Sequence, residues 1–224
     1  MTNNDWLGQD NRYLADAGNG HRLHPDVLAA FLSMQDAASA DGIDCQLVSA
    51  YRSFDRQVAI WNRKWRGGTT LYDASGQPLN FAELSDNDKL VAILTWSAMP
   101  GGSRHHWGTD IDVYDRQRVK AWGQPFELVD SEYRDDGPCA PLSHWLDIHA
   151  GEFGFYRPFN RFTGGVATER WHLSHRATAT GFEQLRNQAA LEQAIHAADL
   201  AGKAALLQSL SAFYPRYVLN KGIP

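Results

Sequence analysis

The sequence predicts an α+β fold: a small antiparallel sheet flanked by helices, with a C-terminal helical extension. Three observations carry that expectation. Helical stripes and short β-branched runs are mixed without the regular strand–helix–strand rhythm of a doubly wound sheet. Hydrophobic residues make up 43% of the 224 positions and charged residues 21%, the balance of a soluble, core-forming chain. From Gly181 onward the composition turns alanine- and leucine-rich, as helices do.

Residues 25–41 place Val27, Leu28, Phe31 and Leu32 on one helical stripe, with Pro25 suited to the first turn and Gly42 to the exit. IDCQLVSAYRS, at 43–53, reads as a strand of about six residues. A second helix begins near Ser53, where Val58, Trp61 and Trp65 recur at helical spacing. Residues 67–84 form a long loop, and a third helix follows, capped by Ser85 or Asp86. After a glycine-rich turn at 100–108, TDIDVYD alternates as a strand, and FELVDSEY at 126–133 reads as another. LSHWLDIHAGEF forms a helix ending near Gly154. VATERWHLS, from 166, is a strand that closes the compact part, and the tail is two helices broken near Gly202. The expected division is a catalytic domain over 1–178, N-terminal helices included, and an extension over 179–224 packed on it.

With 21 basic and 26 acidic residues the formal net charge is −5, which argues against nucleic-acid binding and against docking on an anionic membrane. Two cysteines exclude a disulfide framework. The first residues hold no basic and apolar leader, so a cytoplasmic location is expected. Oligomeric state is not legible.

The potential chemistry lies in two short stretches. SRHHWGTDID holds His105, His106, Asp110 and Asp112; ERWHLSH holds Glu169, His172 and His175. A catalytic zinc takes three His, Asp or Glu ligands and keeps one open position. On an unbroken strand His105 and Asp112 face opposite sides, but Gly108 permits a turn that returns both to one site. His172 would supply a third ligand, with Glu169 close enough to handle a proton. His106, next to a ligand, points away. Asp110 shares the face of Asp112, so it could orient a ligand histidine, bind a substrate ammonium or sit solvated. Spacing alone leaves a metal site and a set of ordinary turn residues equally open.

Four segments, in order over roughly 43–175, carry a resemblance. SRHHWGTDID resembles the S-x-H-x-x-G-x-x-x-D signature of the LAS-type zinc peptidases, and ERWH their E-x-W-H. SAYRS with Gln57, and HWLDIHAGEFGFYRPF, are similar to segments of the VanY-like D-alanyl carboxypeptidase branch. The resemblance implies one zinc ion per chain on His105, Asp112 and His172, with Glu169 as general base and acid. It implies that Arg52 contacts the substrate's terminal carboxylate or scissile carbonyl, and that Ser103 and Gln57 lie on the substrate side. Asp110 stands where family members commonly have a small residue, and is expected at the substrate. His175 stands where many carry an aromatic residue. The implied activity is removal of a C-terminal D-alanine from peptidoglycan-derived peptides. An L,D-carboxypeptidase acting on tetrapeptide muropeptides in recycling is favoured over a D,D-carboxypeptidase or dipeptidase. A phage-type L-Ala–D-Glu endopeptidase ranks lower, as does a metal-bound binding module, which would need neither Glu169 nor Arg52.

Overall fold

A computed structural model describes residues 2–223. Its helices begin where the local chemistry says they should. Pro25 opens α2 (Pro25–Ala40) after a short first helix, α1 (Asn3–Trp6). Ser53 caps α3 (Phe54–Trp65) by accepting from the Arg56 amide. Ser85 caps α4 (Asp86–Trp96) in a reciprocal capping box with Asp88.

The central sheet has four antiparallel strands. They are β3 (Cys45–Ser49), β4 (Asp110–Asp115), β5 (Phe155–Tyr156) and β6 (His172–His175), in the spatial order β3–β4–β6–β5. Between β4 and β6 the register pairs Asp110 with Ser174, Ile111 with Leu173 and Asp112 with His172. Because side chains alternate, this register sorts the sheet into two chemically distinct faces. Ile111, Val113 and Leu173 point into an apolar cluster with Val27, Phe31 and Met34 of α2. That cluster also takes Leu142, Trp145 and Leu146 from α6 (Ala140–His149), which follows α5 (Arg116–Trp122). Asp110, Asp112, His172 and Ser174 belong to the opposite, polar set.

A second apolar cluster joins Trp6, Phe54, Trp61, Leu90 and Ile93 to Phe182, Leu191, Leu206 and Phe213. The last four belong to α7 (Arg176–Leu185), α8 (Gln188–Ala197) and α9 (Lys203–Phe213). Each buried side chain of this size contributes about 1.5–3 kcal/mol, so the tail and the matched part stabilise one another. The expected boundary at 178 falls inside α7, and one apolar cluster draws on residues from both sides of it. The tail is three helices, because Asn187 caps a separate α8 by accepting from the Ala190 amide.

Two further expectations change, and one hairpin is added. Residues 126–133 are not a strand: Asp130–Tyr133 is a 3-10 turn, and the Glu132 carboxylate accepts from the Glu127 and Val129 amides. Only the end of VATERWHLS is extended, as β6. A hairpin of β1 (Ala15–Gly18) and β2 (His21–Leu23) turns through Asn19 and Gly20, both at positive φ. No described helix is long and apolar enough to cross a membrane.

Candidate metal centre and catalytic cleft

His105 lies in a 3-10 turn, Arg104–Trp107, that ends at Gly108 in the left-handed region (φ 66°). A Cβ there would meet Leu14 Cδ2 at 2.5 Å, so the turn needs glycine for both conformation and space. The turn carries His105 to the polar face of β4, as the spacing requires. His105 Nδ1 donates to the Ala50 carbonyl at 2.9 Å, which leaves Nε2 bare and 3.1 Å from Asp112 Oδ2.

Across the register, His172 is held from both sides. Its Nε2 lies 2.9 Å from Asp110 Oδ1, while Nδ1 is 3.2 Å from Asp112 Oδ1 and 3.3 Å from Glu169 Oε2. Burial disfavours a charged ring here, but Asp110, Asp112 and Glu169 together hold its proton affinity well above the ordinary histidine value. Burial likewise opposes ionisation of Asp112, and the two histidines outweigh it, leaving the carboxyl well below the usual range. The site thus favours positive charge at its centre.

His105, Asp112 and His172 are buried and can bring one ligand atom each within 4.8 Å of one another. Asp112 Oδ1 is a buried acceptor without a well-directed hydrogen bond. Ligands about 2.0–2.1 Å from a tetrahedral zinc stand roughly 3.3 Å apart, close to the separations of Asp112 from both rings. The donor set of two nitrogens and one carboxylate, with a buried acceptor lacking a partner, fits zinc.

The neighbouring His106 is used differently. Its Nδ1 donates to the Arg52 carbonyl at 2.6 Å and its Nε2 accepts from the Gly101 amide at 3.0 Å. Burial pushes it down to about 3, so the ring is neutral and of fixed tautomer. It turns from the candidate centre to the Arg52 carbonyl and the Gly101 amide, and ties two loops together.

Asp110, expected at the substrate, is placed behind His172. It is 0% exposed and lies outside the cleft. Beyond His172, it accepts from Arg104 Nε at 2.7 Å, Thr109 Oγ1 at 2.7 Å and Ser174 Oγ at 3.1 Å. Arg104 in turn binds Glu183 of α7 at 2.7 Å. Of the three readings the sequence left open, the first describes its contact: a carboxylate orienting a histidine. Gln57, expected on the substrate side, lies against Arg52. Fully buried, it accepts from Arg52 Nη1 at 3.0 Å and donates to the Ala98 carbonyl at 2.7 Å, bracing the arginine from behind.

A cleft of about 600 Å³ opens over the centre, lined by Arg52, Ser103, Glu169 and the three candidate ligands. Arg52 donates only to neutral acceptors, Gln57 and Ser49 Oγ, and no carboxylate lies within 4 Å of it among the described residues. His175 contacts Thr178 and packs edge-on to Phe155, outside the cleft. Sequence reasoning missed several lining residues: Lys64 on α3, Phe159 set edge-on to His172, and Arg186, Tyr217 and Asn220 from the tail. Apart from Phe159, the last residue of HWLDIHAGEFGFYRPF, none of them sits in a motif.

The sheet, its polar face and the His–Asp–His set are together the arrangement of the LAS-type zinc peptidases. More closely, the chain belongs to the VanY family: the family's sequence profile, described as D-alanyl-D-alanine carboxypeptidase, matches residues 20–178. An uncharacterized protein of Haemophilus influenzae is 37% identical over 81 residues, covering 36% of this chain and 56% of that one. A D-alanyl-D-alanine carboxypeptidase of Enterococcus faecalis is 28% identical over 165 residues, 72% of this chain and 51% of its own length. The chain thus spans about half the length of both relatives. Among solved structures, a mutant of the vancomycin-resistance D,D-pentapeptidase VanY in complex with Zn(II) superposes with TM-score 0.50 at 25% identity, covering 87% of this chain and 91% of that one. The LD-carboxypeptidase LdcB has the same fold, with TM-score 0.53 at 19% identity over 87% of this chain and 82% of its own.

Proposed function

We propose that the protein is a zinc-dependent carboxypeptidase that removes a C-terminal D-alanine from peptidoglycan-derived peptides. The observation that carries this reading is Arg52: a half-buried guanidinium without a carboxylate partner, facing the same cleft as Glu169 and the His105–Asp112–His172 set. A planar cation of this kind is suited to a substrate carboxylate or a developing oxyanion. Family membership and the zinc-bound VanY structure support the metal and the bond class.

In this reading His105, Asp112 and His172 hold the ion, which supplies Lewis acidity to the scissile carbonyl and makes water acidic enough to attack near neutral pH. Glu169 takes the proton of the attacking water and passes it to the leaving amine of D-alanine. Arg52 orients the peptide's free end, braced by Gln57 and Ser49, and Ser103 contributes a hydroxyl to the same wall. Trp171, 5% exposed, closes one side and keeps bulk water out.

Within that class we propose L,D-carboxypeptidase action on muropeptide tetrapeptides, in a cytoplasmic recycling setting. The size of the cleft supports a substrate of several residues over a free dipeptide. A second reading, D,D-carboxypeptidase, is supported by the descriptions of the family and of the Enterococcus relative. Incubating the protein with tri-, tetra- and pentapeptides, with and without chelator, and weighing the products decides between them. Chelator-sensitive loss of one alanine from tetrapeptide alone is the expected result. Cleavage of pentapeptide alone replaces the L,D reading with the D,D one, and no loss of alanine from either overturns both.

A further inference from the structure

The inward stripe of α3 runs Phe54, Gln57, Trp61 and then Lys64. The first three are buried in the apolar cluster or against Arg52, as a helix packed on a core requires. The stripe then ends on a charge. Arg63 and Arg66, beside it, are exposed, whereas Lys64 is half-buried and lines the catalytic cleft. Side chains on a helix lean toward its N-terminus, so the Lys64 stem leans back toward Gln57 and Arg52.

Two features of this placement call for an anion. Among the described residues, no carboxylate lies within 4 Å of the Lys64 ammonium and no hydrogen bond satisfies it. Arg52 is in the same position, bound only to neutral acceptors. The two cations repel each other across one partly shielded wall, and burial with that repulsion lowers the proton affinity of Lys64. Glu169 is the acid that acts on both, yet it pairs at short range with neither; its near neighbour is His172 Nδ1. Two like charges held together in a shielded cleft are costly until something negative comes between them.

We infer that Lys64 is a substrate-binding residue that joins Arg52 in a two-cation clamp on the terminal carboxylate of the peptide. This inference rests on the carboxypeptidase reading and deepens it. Arg52 offers a planar fork and Lys64 a point charge, so the clamp grips a carboxylate and gains little from the amide of an internal peptide bond. The pair therefore restricts the cleft to free C-termini, and Lys64 acts through binding, not through proton transfer.

The test compares a D-Ala-terminated tetrapeptide with the same peptide amidated at its C-terminus, using wild-type protein and Lys64→Met. The expected result is an approximately tenfold rise in KM for the free acid with kcat nearly unchanged, so that the preference for acid over amide falls by the same factor. Lys64→Arg should restore most of the preference, which a fault in folding would not allow. As a reading independent of turnover, calorimetry on the zinc-loaded Glu169→Gln protein should show tetrapeptide binding weakened by a similar factor when Lys64→Met is added. An unchanged acid-to-amide ratio and unchanged binding would overturn the clamp while leaving the carboxypeptidase reading standing. Failure of the wild-type protein to release alanine from any peptide would instead overturn the reading on which the clamp rests.

Discussion

The two walls of the cleft are built by different means. The wall that carries the candidate ligands is built on a paired sheet, whose register sets Asp112 opposite His172, with His105 brought in by the turn before β4. The wall contributed by the tail is held by packing and by a few backbone clips. Arg216 donates to the Gly164 carbonyl, Asn220 to the Pro158 carbonyl, and the Ile223 amide to the Thr163 carbonyl. These clips fasten the loop that presents Phe159 to His172. The contrast teaches that the site's chemistry is fixed by register, while its shape depends on an attached segment outside the span that matches the family.

The comparison breaks most severely at the sheet. His172→Ala should abolish activity and remove the metal, as elemental analysis of the purified protein would show; full occupancy would place the third ligand elsewhere. Glu169→Gln should keep the metal and lose about 10²–10⁴-fold in kcat, the usual worth of a positioned acid–base group. Asp110→Asn keeps the shape but weakens the grip on His172 Nε2, and should lower zinc affinity by about 10–100-fold in a chelator competition. An unchanged affinity would reduce Asp110 to a partner of Arg104 alone. On the other wall the effects should be smaller. Gly222 has φ 76°, and a Cβ there would sit 2.3 Å from the Thr163 carbonyl oxygen. Gly222→Ala should therefore loosen the clip, cost about 1–3 kcal/mol of stability, and raise KM more than it lowers kcat. Equal loss of kcat would mean that this wall takes part in the chemistry as well as in binding.

Much of the sheet wall was legible in the sequence because its constraints are local. The spacing from His105 through Gly108 to Asp112 encodes the turn, and alternation in TDIDVYD encodes which residues share a face. Asp110 could be placed on the right face but not in its role, because Arg104, His172 and Ser174 reach it only through the fold. The tail wall was barely legible: Arg186 and Asn220 carry no pattern, and their positions follow from how three helices pack on α3 and α4. The strand expected at 126–133 failed for a related reason, since the Glu132 side chain satisfies amides that a ladder would otherwise need. The hairpin at 15–23 had an Asn-Gly turn signal, but its strands, ADAG and HRL, are too short and polar for alternation to show.

The pairing of Asp112 with His172 across β4 and β6 has one more consequence. A slip of one residue by β6 would turn His172 to the far face and bring Leu173 to the centre, and a slip by β4 would replace Asp112 with Ile111 or Val113. Such a misfolded chain could be compact and helical and still hold no ion. Metal uptake would then act as a proofreader of strand alignment, and a zinc-to-protein ratio would count the correctly threaded molecules in a preparation.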